Sequence, residues 1–148
     1  MSGPVTFNHI GHCVADLARS RRFYEELLGF VFERRLDAPD EPSARLLRVA
    51  PPLGMTATYL RRDGLVLELL HFNRPGNPPA RPRAMNEPGL THISLSVDDM
   101  AGVLSRVSDY GGEVLYDTDL GGMAINIVDP DGQLIELLPM SYRDSLGG

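Results

Sequence analysis

The chain has 148 residues, with 14 arginines and no lysine against 20 acidic residues, for a formal net charge of −6. The missing lysine excludes Schiff-base and Walker-type phosphate chemistry, and the single cysteine, Cys13, excludes an internal disulfide and any Cys-rich zinc or iron–sulfur site. Arginines scattered on an acidic chain do not make the basic surface a nucleic acid needs; no apolar run nears the roughly 20 residues of a membrane span and no basic-then-apolar leader opens the chain, so the expectation is one cytoplasmic globular domain with neither partner.

In chain order, residues 8–14 alternate in the manner of a strand. Asp16 then offers an N-cap for a helix whose mostly apolar face is Leu17, Ser20, Phe23, Tyr24, Leu27 and Leu28, ended by Gly29. Alternating or β-branched runs predict strands over 30–36, 44–49, 56–61 and 65–72, with Asp63-Gly64 as a hairpin turn and 44–49 as an additional short strand. Residues 73–89 hold five prolines and no periodicity, the mark of an extended connector that could also lie over a site as a lid. A strand follows from His92 to Val97, then Asp98 or Asp99 as a cap and a helix with Met100, Val103, Leu104 and Val107 before Gly111-Gly112. Strands over 113–116, 123–128 and 134–138 complete the chain, the last two joined at Asp131-Gly132.

The order repeats because the sequence repeats. Asn8-His9-Ile10 through Asp16-Leu17-Ala18 returns as Thr91-His92-Ile93 through Asp99-Met100-Ala101, 83 residues later, and Gly29 matches Gly112 at the same offset. The run 63–70 returns as 131–138 after only 68, so the middle of the second copy is shorter. Each copy is a βαβββ unit: 5–72 and 90–140, joined by 73–89. A single covering helix leaves the other face of each sheet to be buried or wrapped around something, so the two modules are expected to form one α+β domain.

Side chains alternate along a strand, so His92, Ser94 and Ser96 share one face while Ile93, Leu95 and Val97 share the other. His9, Gly11 and Cys13 form the matching open face in the first copy, with Ile10, His12 and Val14 behind. Glu68 and Glu136 sit in the closing strands with apolar neighbours on both sides in sequence. A carboxylate buried in a strand costs several kcal/mol unless it is paired or bound to a metal, and a His and a Glu duplicated in register suggest a shared cation. Two imidazoles and two carboxylates suit octahedral Ni, Co, Fe, Mn or Zn alike; structural salt bridges carried along by duplication are the other reading. His12 is expected in the core or an interface, with a proton relay as the other reading, His71 away from the chemistry, and Cys13, on the His9 face, as a small buried filler ahead of a pocket-lining residue. Arg81-Pro82-Arg83 reads as a solvated loop or as a contact for an acidic substrate group, while Met123 and Asn126 read as packing or pocket-shaping residues.

Together these residues resemble the vicinal oxygen chelate superfamily, which includes glyoxalase I, methylmalonyl-CoA epimerase, extradiol dioxygenases and the fosfomycin and bleomycin resistance proteins. The resemblance lies in Asn8-His9-Ile10-Gly11 with Val14-Ala15-Asp16-Leu17, Arg22-Phe23-Tyr24 with Leu27-Leu28-Gly29-Phe30, Gly89-Leu90-Thr91-His92-Ile93 with Val97-Asp98-Asp99, and Asp129-Pro130-Asp131-Gly132 leading into Ile135-Glu136-Leu137. It implies two βαβββ modules forming a curved half-barrel mixed sheet around a metal cleft, with one divalent ion (Ni, Co, Zn, Mn or Fe) on His9, Glu68, His92 and Glu136. It also implies a small-molecule substrate and commonly a homodimer. The activity implied first is a glyoxalase-like isomerase, epimerase or lyase, in which the metal binds adjacent substrate oxygens, an enediolate is stabilised and Glu136 or Glu68 moves the proton. An Fe(II) extradiol dioxygenase and an antibiotic-binding resistance protein are the alternatives; Glu68 at the second ligand position counts against the dioxygenase.

Overall fold

The computed structural model describes residues 3–145. In chain order the elements are β1 (Ile10–Cys13), α1 (Leu17–Arg22), β2 (Val31–Asp37), α2 (Asp40–Leu47), β3 (Met55–Arg62), β4 (Leu65–Phe72), β5 (His92–Val97), α3 (Met100–Leu104), β6 (Glu113–Leu115), β7 (Ile125–Val128), β8 (Leu134–Pro139) and α4 (Met140–Ser145). They make two open, four-stranded mixed sheets ordered β1-β4-β3-β2 and β5-β8-β7-β6, so the described residues contain no closed barrel. In each sheet the first strand runs parallel to the last, and the other three form an antiparallel meander. The strand and leading-helix order expected of each copy is the order observed, with an additional helix, α2, between the second and third strands of the first. No described helix is long and apolar enough to cross a membrane.

Contacts group the chain into two compact units, one with residues up to 18 and 29–79, the other with 19–28 and the residues from 80 onward. In the first unit, Asp63 and Gly64 have φ of 48° and 83° and join β3 to β4 in a two-residue turn. Positive φ at both positions matches the right-handed twist of the flanking strands and is inexpensive for Asp-Gly. The strand expected over 44–49 does not form; α2 occupies most of that run. An alternation of Ala44, Leu46 and their neighbours also fits a single helical turn: Ala44 and Leu47, three apart, pack with Leu53 and Met55, whereas Leu46 is 83% exposed. The segment is pinned by Asp40, whose Oδ1 accepts the Leu53 N–H at 2.9 Å. Arginines close loops in both units by donating to carbonyls: Arg62 to Gly29, Arg74 to both Ala50 and Pro52, and Arg83 to Glu87 and Leu90.

In the second unit a π-helical turn, Phe23–Leu27, extends α1, and its Phe23 and Tyr24 are fully buried. The face read from helical spacing is therefore the buried one. Phe23 rests on Gly112: a Cβ there would lie 2.7 Å from Phe23 Cε2, 2.6 Å from the Val128 carbonyl and 2.9 Å from Val107 Cγ1. Tyr24 donates its phenol O–H to Asp129 Oδ2 at 2.8 Å, while Asp129 Oδ1 accepts the N–H groups of Asp131 and Gln133 and so shapes the turn into β8. Ser20 donates to Asp131 at 3.3 Å in the same cluster. The helix starting near Asp98 is shorter than its apolar spacing suggests. Asp99 caps it, accepting the Gly102 N–H, but α3 ends at Leu104 and Val107 belongs to a separate 3-10 turn (Val107–Tyr110) closed by Gly111. Residues 123–124 lie outside β7, and 116 begins a 3-10 turn after β6 rather than prolonging the strand.

Two substitutions test this packing. Gly112→Ala is expected to cost about 1–3 kcal/mol in urea unfolding, because the methyl meets backbone and ring atoms that cannot withdraw together. Tyr24→Phe removes a buried donor from a carboxylate and is expected to cost about 1–3 kcal/mol at neutral pH. Burial, then the Asp129 charge, raises the Tyr24 phenol well above its ordinary value. The folded pKa lies above the unfolded one, so this stability is complete below pH about 10 and is lost as pH rises toward the folded value. Urea midpoints measured at pH about 9 and 11 should fall further in the native protein than in Tyr24→Phe.

Candidate metal centre

In the first unit one residue from each strand of the sheet lines up across it. Arg34 of β2 is opposite Tyr59 of β3, Tyr59 opposite Glu68 of β4, and Glu68 opposite Gly11 of β1. His9, two residues before Gly11, projects to the same face, and its Nε2 lies 3.4 Å from Glu68 Oε1. The other ring nitrogen is held, with Nδ1 2.5 Å from Asn8 Oδ1. Tyr59 donates to the second carboxylate oxygen, Oε2, at 2.5 Å. The Tyr59 ring meets the imidazole edge to face at 5.5 Å, and the Arg34 guanidinium stands 4.6 Å from the ring centroid. Burial, then the hydrogen bond and charge of Glu68, holds the Tyr59 phenol above its usual value, with Arg34 opposing them.

The second unit builds the same pair with different neighbours. His92 Nε2 lies 3.8 Å from Glu136 Oε1, and His92 Nδ1 pairs with the Thr91 hydroxyl at 2.8 Å. Ser94 stands at the register position of Gly11 and donates to Glu136 Oε1 at 2.9 Å; Asn126 stands at the position of Tyr59. The Glu136 side chain is 34% exposed against 12% for Glu68. Each unit thus brings together the His and the Glu expected of it.

Each pair is suited chemically to a cation. When Nδ1–H of His9 donates to Asn8, Nε2 presents a lone pair to a carboxylate oxygen, and two such donors repel unless a positive charge stands between them. Two ligands on one ion, each about 2.1 Å from it, lie roughly 3.0–3.4 Å apart, which the His9–Glu68 spacing meets and the His92–Glu136 spacing approaches. Holding the distal ring nitrogen, as Asn8 and Thr91 do, is how proteins orient a metal-ligating imidazole.

The remaining histidines and the cysteine lie elsewhere. His71 places Nδ1 3.3 Å from the Val14 carbonyl, and His12 lies opposite Leu69 on the other face of β1 from His9. Cys13 is exposed. Arg83 is committed to its own loop, through carbonyls of Glu87 and Leu90, and Met123 is 66% exposed. Tyr59 and Arg34 are the site-face residues that the motif reading missed; Ser94 was expected on the His92 face, but not its bond to Glu136. Tyr59 had a signal: it and Glu68 each lie four residues outside the Asp63-Gly64 turn, which makes them cross-strand partners.

The chain is 29% identical over 154 aligned residues to the lactoylglutathione lyase of Pseudomonas aeruginosa, covering 95% of this chain and 86% of that one. Among solved structures it is similar to the trypanothione-dependent glyoxalase I of Leishmania major, with a TM-score of 0.67 and 25% identity over 94% of this chain and 89% of that one. A glyoxalase family protein from Bacillus cereus shares the fold at a TM-score of 0.77, with 19% identity over 93% and 95% of the two chains. The family model for the Glyoxalase/Bleomycin resistance protein/Dioxygenase superfamily matches residues 6–137, a span that includes all four residues of the two His–Glu pairs, and the chain belongs to that superfamily.

Proposed function

We propose that this protein is a divalent-metal-dependent isomerase or lyase of the glyoxalase type, acting on a small substrate with adjacent oxygens, and that His9, Glu68, His92 and Glu136 are its metal ligands. The observation that carries the reading is the repeated pair: the same imidazole nitrogen faces the same carboxylate oxygen at 3.4 and 3.8 Å in two differently furnished sheets. A structural salt bridge retained after duplication would not require the distal nitrogen of each imidazole to be held, yet both are. The similarity to a lactoylglutathione lyase over nearly the whole chain supports the same reaction class.

When bound, a divalent ion supplies positive charge that offsets negative charge developing on a substrate oxygen. The side chains divide the remaining work. His9 and His92 present Nε2 lone pairs whose direction is set by the Asn8 and Thr91 contacts at Nδ1. A glutamate oxygen released from the ion can accept a proton from a carbon beside a substrate carbonyl and return it to the neighbouring carbon, a role open to Glu136 or Glu68. Glu136, the more exposed of the two, is the more accessible acceptor.

Two measurements test this. Protein purified without chelator and dialysed against Ni, Co, Zn, Mn or Fe(II) is expected to retain one ion per chain by elemental analysis; a chain that retains none overturns the reading. Glu136→Gln keeps the shape of the carboxylate without its basicity, and is expected to lower the rate of hemithioacetal isomerisation, followed by thioester absorbance, by about 10²–10⁴-fold in the metal-loaded protein. A loss below threefold would remove Glu136 from proton transfer.

A further inference from the structure

We infer that Tyr59 is a positioning residue that locks Glu68 as a single-oxygen ligand, so that the two glutamates are held by different devices; this rests on the metal reading above. The phenol O–H occupies Oε2 at 2.5 Å, a length typical of a charge-assisted bond to a carboxylate, and leaves Oε1 directed toward His9 Nε2. A carboxylate so held cannot swing to offer both oxygens to an ion without breaking that bond. The phenol itself has little freedom. Tyr59 is 7% exposed, packs with Ala57, Val66 and Leu70, and carries Arg34 against its ring. The same ring meets the His9 imidazole edge to face, so one rigid side chain braces both residues of the pair.

The second sheet shows what the lock replaces. At the Tyr59 position it has Asn126, and the donor to Glu136 comes from the opposite strand: Ser94, at the position of Gly11, and it lands on Oε1, the oxygen that faces His92. One carboxylate is thus held from behind through its far oxygen, the other at its facing oxygen. Gly11 leaves room to exchange the devices, because a Cβ there would meet Glu68 Oε1 at 3.4 Å, ordinary van der Waals contact.

The experiment uses Co(II), whose affinity and visible absorption report the ligand set without reference to any substrate. Tyr59→Phe keeps the ring, its packing and the Arg34 contact and removes only the donor. It is expected to weaken Co(II) binding 10–100-fold, the usual effect of losing a partner behind a metal ligand, and to alter the visible bands as Glu68 becomes free to bind through both oxygens. The metal-free melting temperature is expected to fall by a few degrees, as for any lost half-buried donor, whereas the altered visible bands of the folded, cobalt-loaded variant report the ligand geometry and so separate positioning from folding. Adding Gly11→Ser to Tyr59→Phe, which imports the donor of the second sheet, is expected to restore part of the affinity. Unchanged Co(II) affinity and spectrum in Tyr59→Phe, or no recovery in the double variant, overturns the lock while leaving the metal reading intact. A native protein that binds no Co(II) overturns both.

Discussion

A carboxylate on an inner strand of a sheet is flanked by two strands where water would otherwise stand, so its polar surroundings must be built from the residues opposite it. Both sheets meet this demand at β4 and β8, and most of what distinguishes the site follows from it. The parallel strand on one side brings a small residue, Gly11 or Ser94, opposite the glutamate; two residues earlier on that strand comes the histidine. The antiparallel strand on the other side brings Tyr59 or Asn126. Spacing of the histidine and glutamate in sequence is set by this pairing, since an exchange of register by one residue would turn the glutamate to the other face.

The repeat made much of this legible. Duplicated strand order, the paired His and Glu and the helical face containing Phe23 and Tyr24 all follow from alternation, helical spacing and an offset common to several residues. The two-residue turn at Asp63-Gly64 even determines which residues of β3 and β4 face each other. Legibility ended where local pattern was shared by two structures. Residues 44–49 alternate well enough for a strand, but a short run carries too few positions to distinguish period two from a helical turn, and the Asp40 contact to Leu53 that decides it lies outside the run. The bond from Ser94 to Glu136 was beyond reach for a different reason: the two residues lie 42 apart across a parallel pairing that no turn sets.

Duplication preserved the His–Glu pair and let the supports diverge. Unit one surrounds Glu68 with aromatic packing and an arginine; unit two leaves Glu136 beside a hydroxyl and closer to water. On the metal-dependent reading proposed above, a divergence of this kind would separate two demands that one symmetric site could not meet equally, a ligand that stays in place and a carboxylate that solvent and substrate can approach.

The arginine-to-carbonyl closures of the loops bear on how the protein can be regulated. A guanidinium is too basic to lose its charge at any pH a folded chain survives, and its fork lets Arg74 serve two carbonyls from one nitrogen, at 2.6 and 3.0 Å. Loops held this way keep their geometry independently of acidity. They are also closed to acetylation, since the chain contains no side-chain amine for an acyl donor to attack.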